Sequence, residues 1–107
     1  MPLPADSFWR ALSDPSRRAL YERLSREGAL AVKTLTEGAG ISQPAVSRHL
    51  ALLSEAGLVT HRRDGREVLY AADPAALAPL VDWAQEMTAF WSGRLDGLET
   101  LLKRMDQ

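Results

Sequence analysis

Helix starts and glycine stops recur along this chain at short intervals and cut most of it into brief segments. Asp14-Pro15 reads as a helix cap followed by a first-position proline, where the missing N–H costs nothing. Gly28 stands where that helix ends, in a left-handed stop. Val32, Leu35 and Ala39 fall at helical spacing in the next short helix, which Gly38 and Gly40 terminate. Ser42 then offers a cap, Pro44 sits in a first turn, and the helix runs to about Ala56, before Gly57. Leu58–Arg63 and Arg66–Ala72 read as strands joined by Asp64-Gly65, a dipeptide suited to a two-residue type I′ hairpin. That register pairs Arg63 with Arg66, His61 with Val68 and Val59 with Tyr70, so Val59, Val68 and Tyr70 share a buried face.

The last segment differs. Asp73-Pro74 opens a long helix by the same logic as Asp14-Pro15, and Pro79 kinks it or delays its start. Leu77, Ala84, Trp91, Leu98 and Met105 recur every seven residues; Leu80 and Met87 begin a second series that Leu95 and Leu102 continue one position later. The order is helix, helix, helix-turn-helix, hairpin, long helix, or α-α-α-α-β-β-α. It predicts a mainly α fold with a small β-hairpin that must pack on the helical body. With 107 residues there is room for one domain, 1–107, with a helix-turn-helix over about 32–56, a hairpin over about 58–72 and a long helix over about 74–105.

Composition closes several routes. With no cysteine there are no disulfides, thiolate metal sites, redox thiols or cysteine nucleophiles. No apolar run approaches the roughly 20 residues of a membrane helix. The start, MPLPADSFWR, lacks a basic region followed by an apolar one, so no signal peptide and a cytoplasmic location are expected. A net charge of −1 argues against a generally basic nucleic-acid coater, but the charge is uneven. Residues 73–107 are mostly acidic, whereas Arg62, Arg63 and Arg66 face only Asp64 among residues 60–66.

The decisive stretch is Ser42-Gln-Pro-Ala-Val-Ser-Arg-His-Leu50. At about 100° per residue, with Val46 at the core centre, Leu50 and Leu53 lie within about 40° of it. Pro44, Ser47, Arg48 and Ala51 fall on the far side. This outer face is short-chained with one arginine, as a helix entering a major groove requires. Ser47 can bond base edges or phosphate, Arg48 can fork onto guanine or clamp a phosphate, and Gln43 can pair with adenine. Free N–H groups at the helix start suit a phosphate. His49 falls at the edge of the core, about 60° from its centre, as a boundary histidine bonding a backbone group or a phosphate. The three arginines of the hairpin tip favour phosphate or minor-groove contact over mere protection of a strand edge.

Other chemistries find no support. Ser47 and His49 are two apart on a helix and point to different faces, so they form no nucleophile–base pair, and no glycine-rich phosphate loop is present. No enzyme and no cofactor is expected. Asp82 and Glu86 could hold a hard cation weakly, but a solvated face is the expectation. Trp83, Phe90 and Trp91 read as core or interface rather than a ligand pocket.

Three stretches, taken together, resemble the ArsR-type winged helix-turn-helix regulators: Phe8-Trp-Arg-Ala-Leu-Ser-Asp-Pro-Ser-Arg-Arg-Ala-Leu20, Ile41 to Leu50 continued by Leu53 and Glu55-Ala-Gly-Leu-Val59, and Arg63-Asp-Gly-Arg-Glu-Val-Leu-Tyr70. The resemblance implies a homodimer built through the first and last helices, with Phe8, Trp9, Trp91, Leu95, Leu98 and Leu102 at its interface. Two recognition helices would then enter successive major grooves of a palindromic operator about 34 Å apart. It places Ser47 and Arg48 where the family contacts DNA and implies repression; with the residue readings above, Ser42, Gln43, Pro44, Ser47, Arg48 and His49 of the recognition helix, and Arg62, Arg63 and Arg66 of the wing, are the expected contacts to double-stranded DNA. The Cys-x-Cys pair of the family's metal sensors is absent, the corresponding helix reading Lys33-Thr-Leu-Thr-Glu37, and the last helix has no histidine, so metal sensing is not implied. No effector is indicated. A winged helix used only to bind proteins is the alternative, which heparin retention and a duplex gel shift separate from a DNA binder.

Overall fold

The structure, a computed structural model, describes residues 6–105; positions 1–5 and 106–107, the outermost part of the expected domain, lie outside the described residues. The chain divides into two compact units, residues 1–77 and 78–107. The first holds α1 (Asp6–Leu12), α2 (Pro15–Glu27), β1 (Leu30–Ala31), α3 (Val32–Thr36), α4 (Gln43–Glu55), β2 (Val59–Asp64), β3 (Glu67–Ala72) and a 3-10 turn, Pro74–Leu77. The second is the 28-residue helix α5 (Ala78–Met105).

Local chemistry sets the helix ends. Asp14 caps α2 by accepting the N–H of Arg17 at 3.0 Å, with Pro15 at the first helical position. Gly28 ends α2 with φ 85° and ψ −162°, so its φ is positive as expected but it is not in the left-handed helical region. Ser42 caps α4 by accepting the N–H of Ala45. At the other end Leu58 N–H bonds Leu53 C=O and Gly57 N–H bonds Ser54 C=O, both at 3.0 Å. This is a Schellman stop, which needs a positive φ at its glycine; Gly57 has φ 78°. Leu53 and Leu58, brought together by that stop, are both fully buried.

Ala39 lies beyond α3, which ends at Thr36. Arg23 of α2 supplies the missing donors there: its guanidinium reaches Thr34 C=O at 3.1 Å and Glu37 C=O at 3.0 Å, and pairs with Glu27 at 2.8 Å. Arg18 likewise donates to Leu12 C=O at the end of α1. A seven-residue helix such as α1 is marginal alone, so these tertiary partners hold its end.

The core joins Leu20, Tyr21 and Leu24 of α2, Leu35 of α3, Val46, Leu50 and Leu53 of α4, and Leu58 and Val59. Leu35, Val46, Leu50, Leu53 and Leu58 have 0% exposure. Burying each such side chain contributes about 1.5–3 kcal/mol.

Two corrections concern the sheet. It has three strands, antiparallel in the order β1-β3-β2, because Leu30 and Ala31 pair with Tyr70 and Leu69. The hairpin register is also one pair further along than expected: Asp64 pairs with Glu67, Arg63 with Val68, His61 with Tyr70 and Val59 with Ala72. Gly65 and Arg66, not Asp64 and Gly65, are the central turn residues. A type I′ turn needs positive φ at both central positions, and among the described residues only glycines have it. Gly65, at φ 62°, takes the first central position, as in a type II′ turn. The faces survive the shift, so Val59, Val68 and Tyr70 still share one side.

The long helix starts later than expected. Asp73 Oδ1 accepts the N–H of Ala75, and the 3-10 turn follows. α5 begins at Ala78, with Pro79 in its first turn, where a missing N–H breaks no helical bond.

Candidate nucleic-acid interface

The elements above fix α4 in place, since it packs against α2, α3 and β2. Val46, Leu50 and Leu53 anchor its inner face, as the angular reading required. Pro44, Ser47, Arg48 and Ala51 on its outer face are exposed, as are Ser42 at its cap and Gln43 in its first turn. Leu52, 39% exposed, adds an apolar side chain that the sequence reading did not single out. The Ser47 hydroxyl and the Arg48 guanidinium have no hydrogen-bond partner among the described residues, so both are available to a ligand. The supply of free N–H groups at the helix start is smaller than expected. Pro44 has none, Ala45 gives its N–H to the Ser42 side chain and Val46 to the Ser42 carbonyl, which leaves Gln43.

His49 is half-buried beside α2, as its angular position suggested. Its partner is a side chain: Arg17 Nη1 lies 3.3 Å from Nδ1. Arg17 is fastened at several points, donating through Nε to Ala11 C=O, through Nη2 to Arg10 C=O at 3.4 Å, and through its N–H to Asp14. That N–H is the largest cause holding the Asp14 carboxyl below its ordinary value, and burial opposes it. The sequence reading missed Arg17 because its contacts join α1, α2 and α4, which no local pattern reveals.

In the wing, Arg62, Arg63 and Arg66 are all exposed. The structure does not bring them to one face. Arg62 and Arg63 are successive residues of β2, opposite Leu69 and Val68, and so project to opposite sides; Arg66 sits in the turn.

The side chains expected at a subunit interface divide by element. In α1, Phe8 is half-buried against the core, whereas Trp9 is 45% exposed. In α5 no residue is buried, and Trp91, Leu95, Leu98, Leu102 and Met105 are all at least half exposed. At about 100° per residue these five fall in an arc of about 80°, while Asp82, Glu86, Asp96, Glu99 and Lys103 lie outside it. Phe90 and Trp91 meet edge to face at 5.4 Å, and the Arg94 guanidinium covers Phe90 at 4.6 Å. Among the described residues no three His, Asp or Glu side chains are grouped to hold a metal ion, and no helix is long and apolar enough to cross a membrane.

Known proteins resemble this chain in sequence and in fold. A helix-turn-helix domain family matches residues 12–62. The chain is 41% identical over 97 residues to the HTH-type transcriptional regulator Rv2034 of Mycobacterium tuberculosis, covering 91% of this chain and 87% of that one. It is 40% identical over 85 residues to the arsenical resistance operon repressor of Escherichia coli, covering 77% and 72% respectively. Among solved structures it resembles an ArsR-like transcriptional regulator from Rhodococcus sp. RHA1, with a TM-score of 0.77, 28% identity and 92% of both chains covered.

Proposed function

The chain belongs to the ArsR-type family of winged helix-turn-helix transcriptional regulators, and on that premise we propose that it is a homodimeric repressor occupying a palindromic operator. One observation carries the reading. On a helix pinned by three fully buried side chains, Ser47 and Arg48 stand exposed and without partners among the described residues, beside short neighbours that let the helix approach a groove floor.

Arg48 reads a base edge by its bidentate fork, Ser47 and Gln43 add directed contacts, and Ser42, Pro44 and His49 line the groove wall. Arg62, Arg63 and Arg66 give the wing its positive charge, and Arg66 with one of the two β2 arginines contacts phosphate independently of sequence. The apolar arc of α5, with α1, pairs two copies, because an exposed stripe of this extent on a helix about 42 Å long demands a cover. Residues 1–107 then act as one functional module. Pairing sets two recognition helices one duplex turn apart, and the bound dimer represses by blocking polymerase.

The experiment is selection of bound sites from a random duplex pool, repeated with Arg48→Ala. Wild type should return an inverted repeat. Arg48→Ala should lose about 1–3 kcal/mol of discrimination at one position of each half-site while remaining a dimer. No consensus with wild type, or an unchanged consensus with Arg48→Ala, would contradict the reading.

A further inference from the structure

We propose that Arg17 is a positioning residue for DNA binding: from α2 it holds the His49 ring in the tautomer whose one N–H, at Nε2, remains at the surface of α4 for a backbone phosphate. The inference rests on the DNA-binding reading and adds a residue to it that stands outside the helix-turn-helix.

A guanidinium has only donors, so its contact at 3.3 Å requires Nδ1 of His49 to be the acceptor. In a neutral ring the proton then sits on Nε2. Nε2 has no partner among the described residues, and no partnerless side-chain nitrogen or oxygen among them is buried. Nε2 therefore reaches the surface, on the helix that carries Ser47 and Arg48, as a donor of fixed identity.

The guanidinium is itself fixed. Its Nε and Nη2 are taken by the carbonyls of Ala11 and Arg10, the last turn of α1, and a planar fork so held has one direction left for Nη1. That direction meets His49. Lysine could not replace it, because a single ammonium on a flexible stem does not hold a carbonyl pair and a ring nitrogen in one plane. The same link ties the end of α1 to the recognition helix, so a movement of α1 would reach the ring through a single side chain.

The test uses the full chain. At about pH 8, two-bond proton–nitrogen spectra of the imidazoles should give His49 a protonated Nε2 and a bare Nδ1. Their shifts should lie further apart than those of the exposed His61 ring, assigned by its loss in His61→Gln. In Arg17→Met, and equally in Arg17→Lys, the separation for His49 should shrink towards that of His61. Binding is then read on a fluorescein-labelled duplex of random sequence. His49→Gln, whose amide nitrogen lies where Nε2 lay, is the conservative replacement and should recover most of the wild-type affinity that His49→Asn loses. His49→Asn, which keeps only the atom facing Arg17, should bind about fivefold more weakly, or about 1 kcal/mol at 1.4 kcal/mol per tenfold. A protonated Nδ1, a wild-type ring no more polarised than His61, or His49→Asn binding like wild type overturns the proposal. A wild type that does not bind duplex at low salt is a different failure, since it refutes the DNA-binding reading itself.

Discussion

Replacing Arg62 and Arg63 by alanine should change the salt dependence of DNA binding by an amount that the hairpin register fixes. The logarithm of the binding constant falls with the logarithm of salt by about 0.9 for each phosphate neutralised. Were both arginines of both wings on phosphates, the double variant would lose about 3.6 from the slope. The register argues for half of that. Arg62 and Arg63 lie opposite Leu69 and Val68 on β3, project to opposite faces of β2, and cannot both lie along one phosphate track. The expected loss is therefore about 1.8 per dimer, and one single variant should account for nearly all of it. Between 50 and 200 mM salt, a fourfold rise, wild type should lose about tenfold more affinity than the double variant. Fluorescence anisotropy on one duplex across that range, with both single variants and the double, measures this. A loss near 3.6 shared equally between the singles would refute the two-face argument, and an unchanged slope would remove both residues from the interface.

Other outcomes follow from the same geometry. Leu98→Glu places a charge in the apolar arc of α5; it should sediment as a single chain with its helix content intact and lose specific binding, and a dimer that survives would contradict the pairing surface. Arg23→Met leaves the carbonyls at the end of α3 without their guanidinium and should lower unfolding stability by about 1–2 kcal/mol, seen as an earlier urea midpoint; an unmoved midpoint would show the clamp to be idle. Asp14→Asn keeps a capping oxygen but loses the charge. Because the folded-state value of Asp14 is depressed, its contribution is present above the ordinary carboxylate value and disappears as pH falls through the folded one. The stability gap between wild type and Asp14→Asn should therefore close in acid, and a gap constant from neutral to about pH 3 would contradict the depressed value.

What could be read from the sequence was what local chemistry decides. Asp14, Ser42 and Gly57 act as stop and start signals wherever they stand, and the Val46, Leu50 and Leu53 stripe is set by helical pitch alone. Those features located the recognition helix and its outer residues. The Asp64-Gly65 dipeptide did not give the register, because glycine can occupy either central position of a two-residue turn and only the strand pairing decides which. β1 is two residues long and pairs across the chain with β3, so it leaves no periodic trace. Arg17 and Arg23 look like ordinary surface arginines of α2 until the carbonyl ends of α1 and α3 come within reach. The partner of His49 was hidden for the same reason.

Hydroxyl-radical footprinting of wild type on a duplex recovered by selection tests the central claim most directly. Two copies of α4 carried by a two-fold dimer should protect two patches on one face of the duplex, their centres about 10–10.5 base pairs apart. A single protected patch, or two patches at a spacing that no whole helical turn accommodates, would contradict the account.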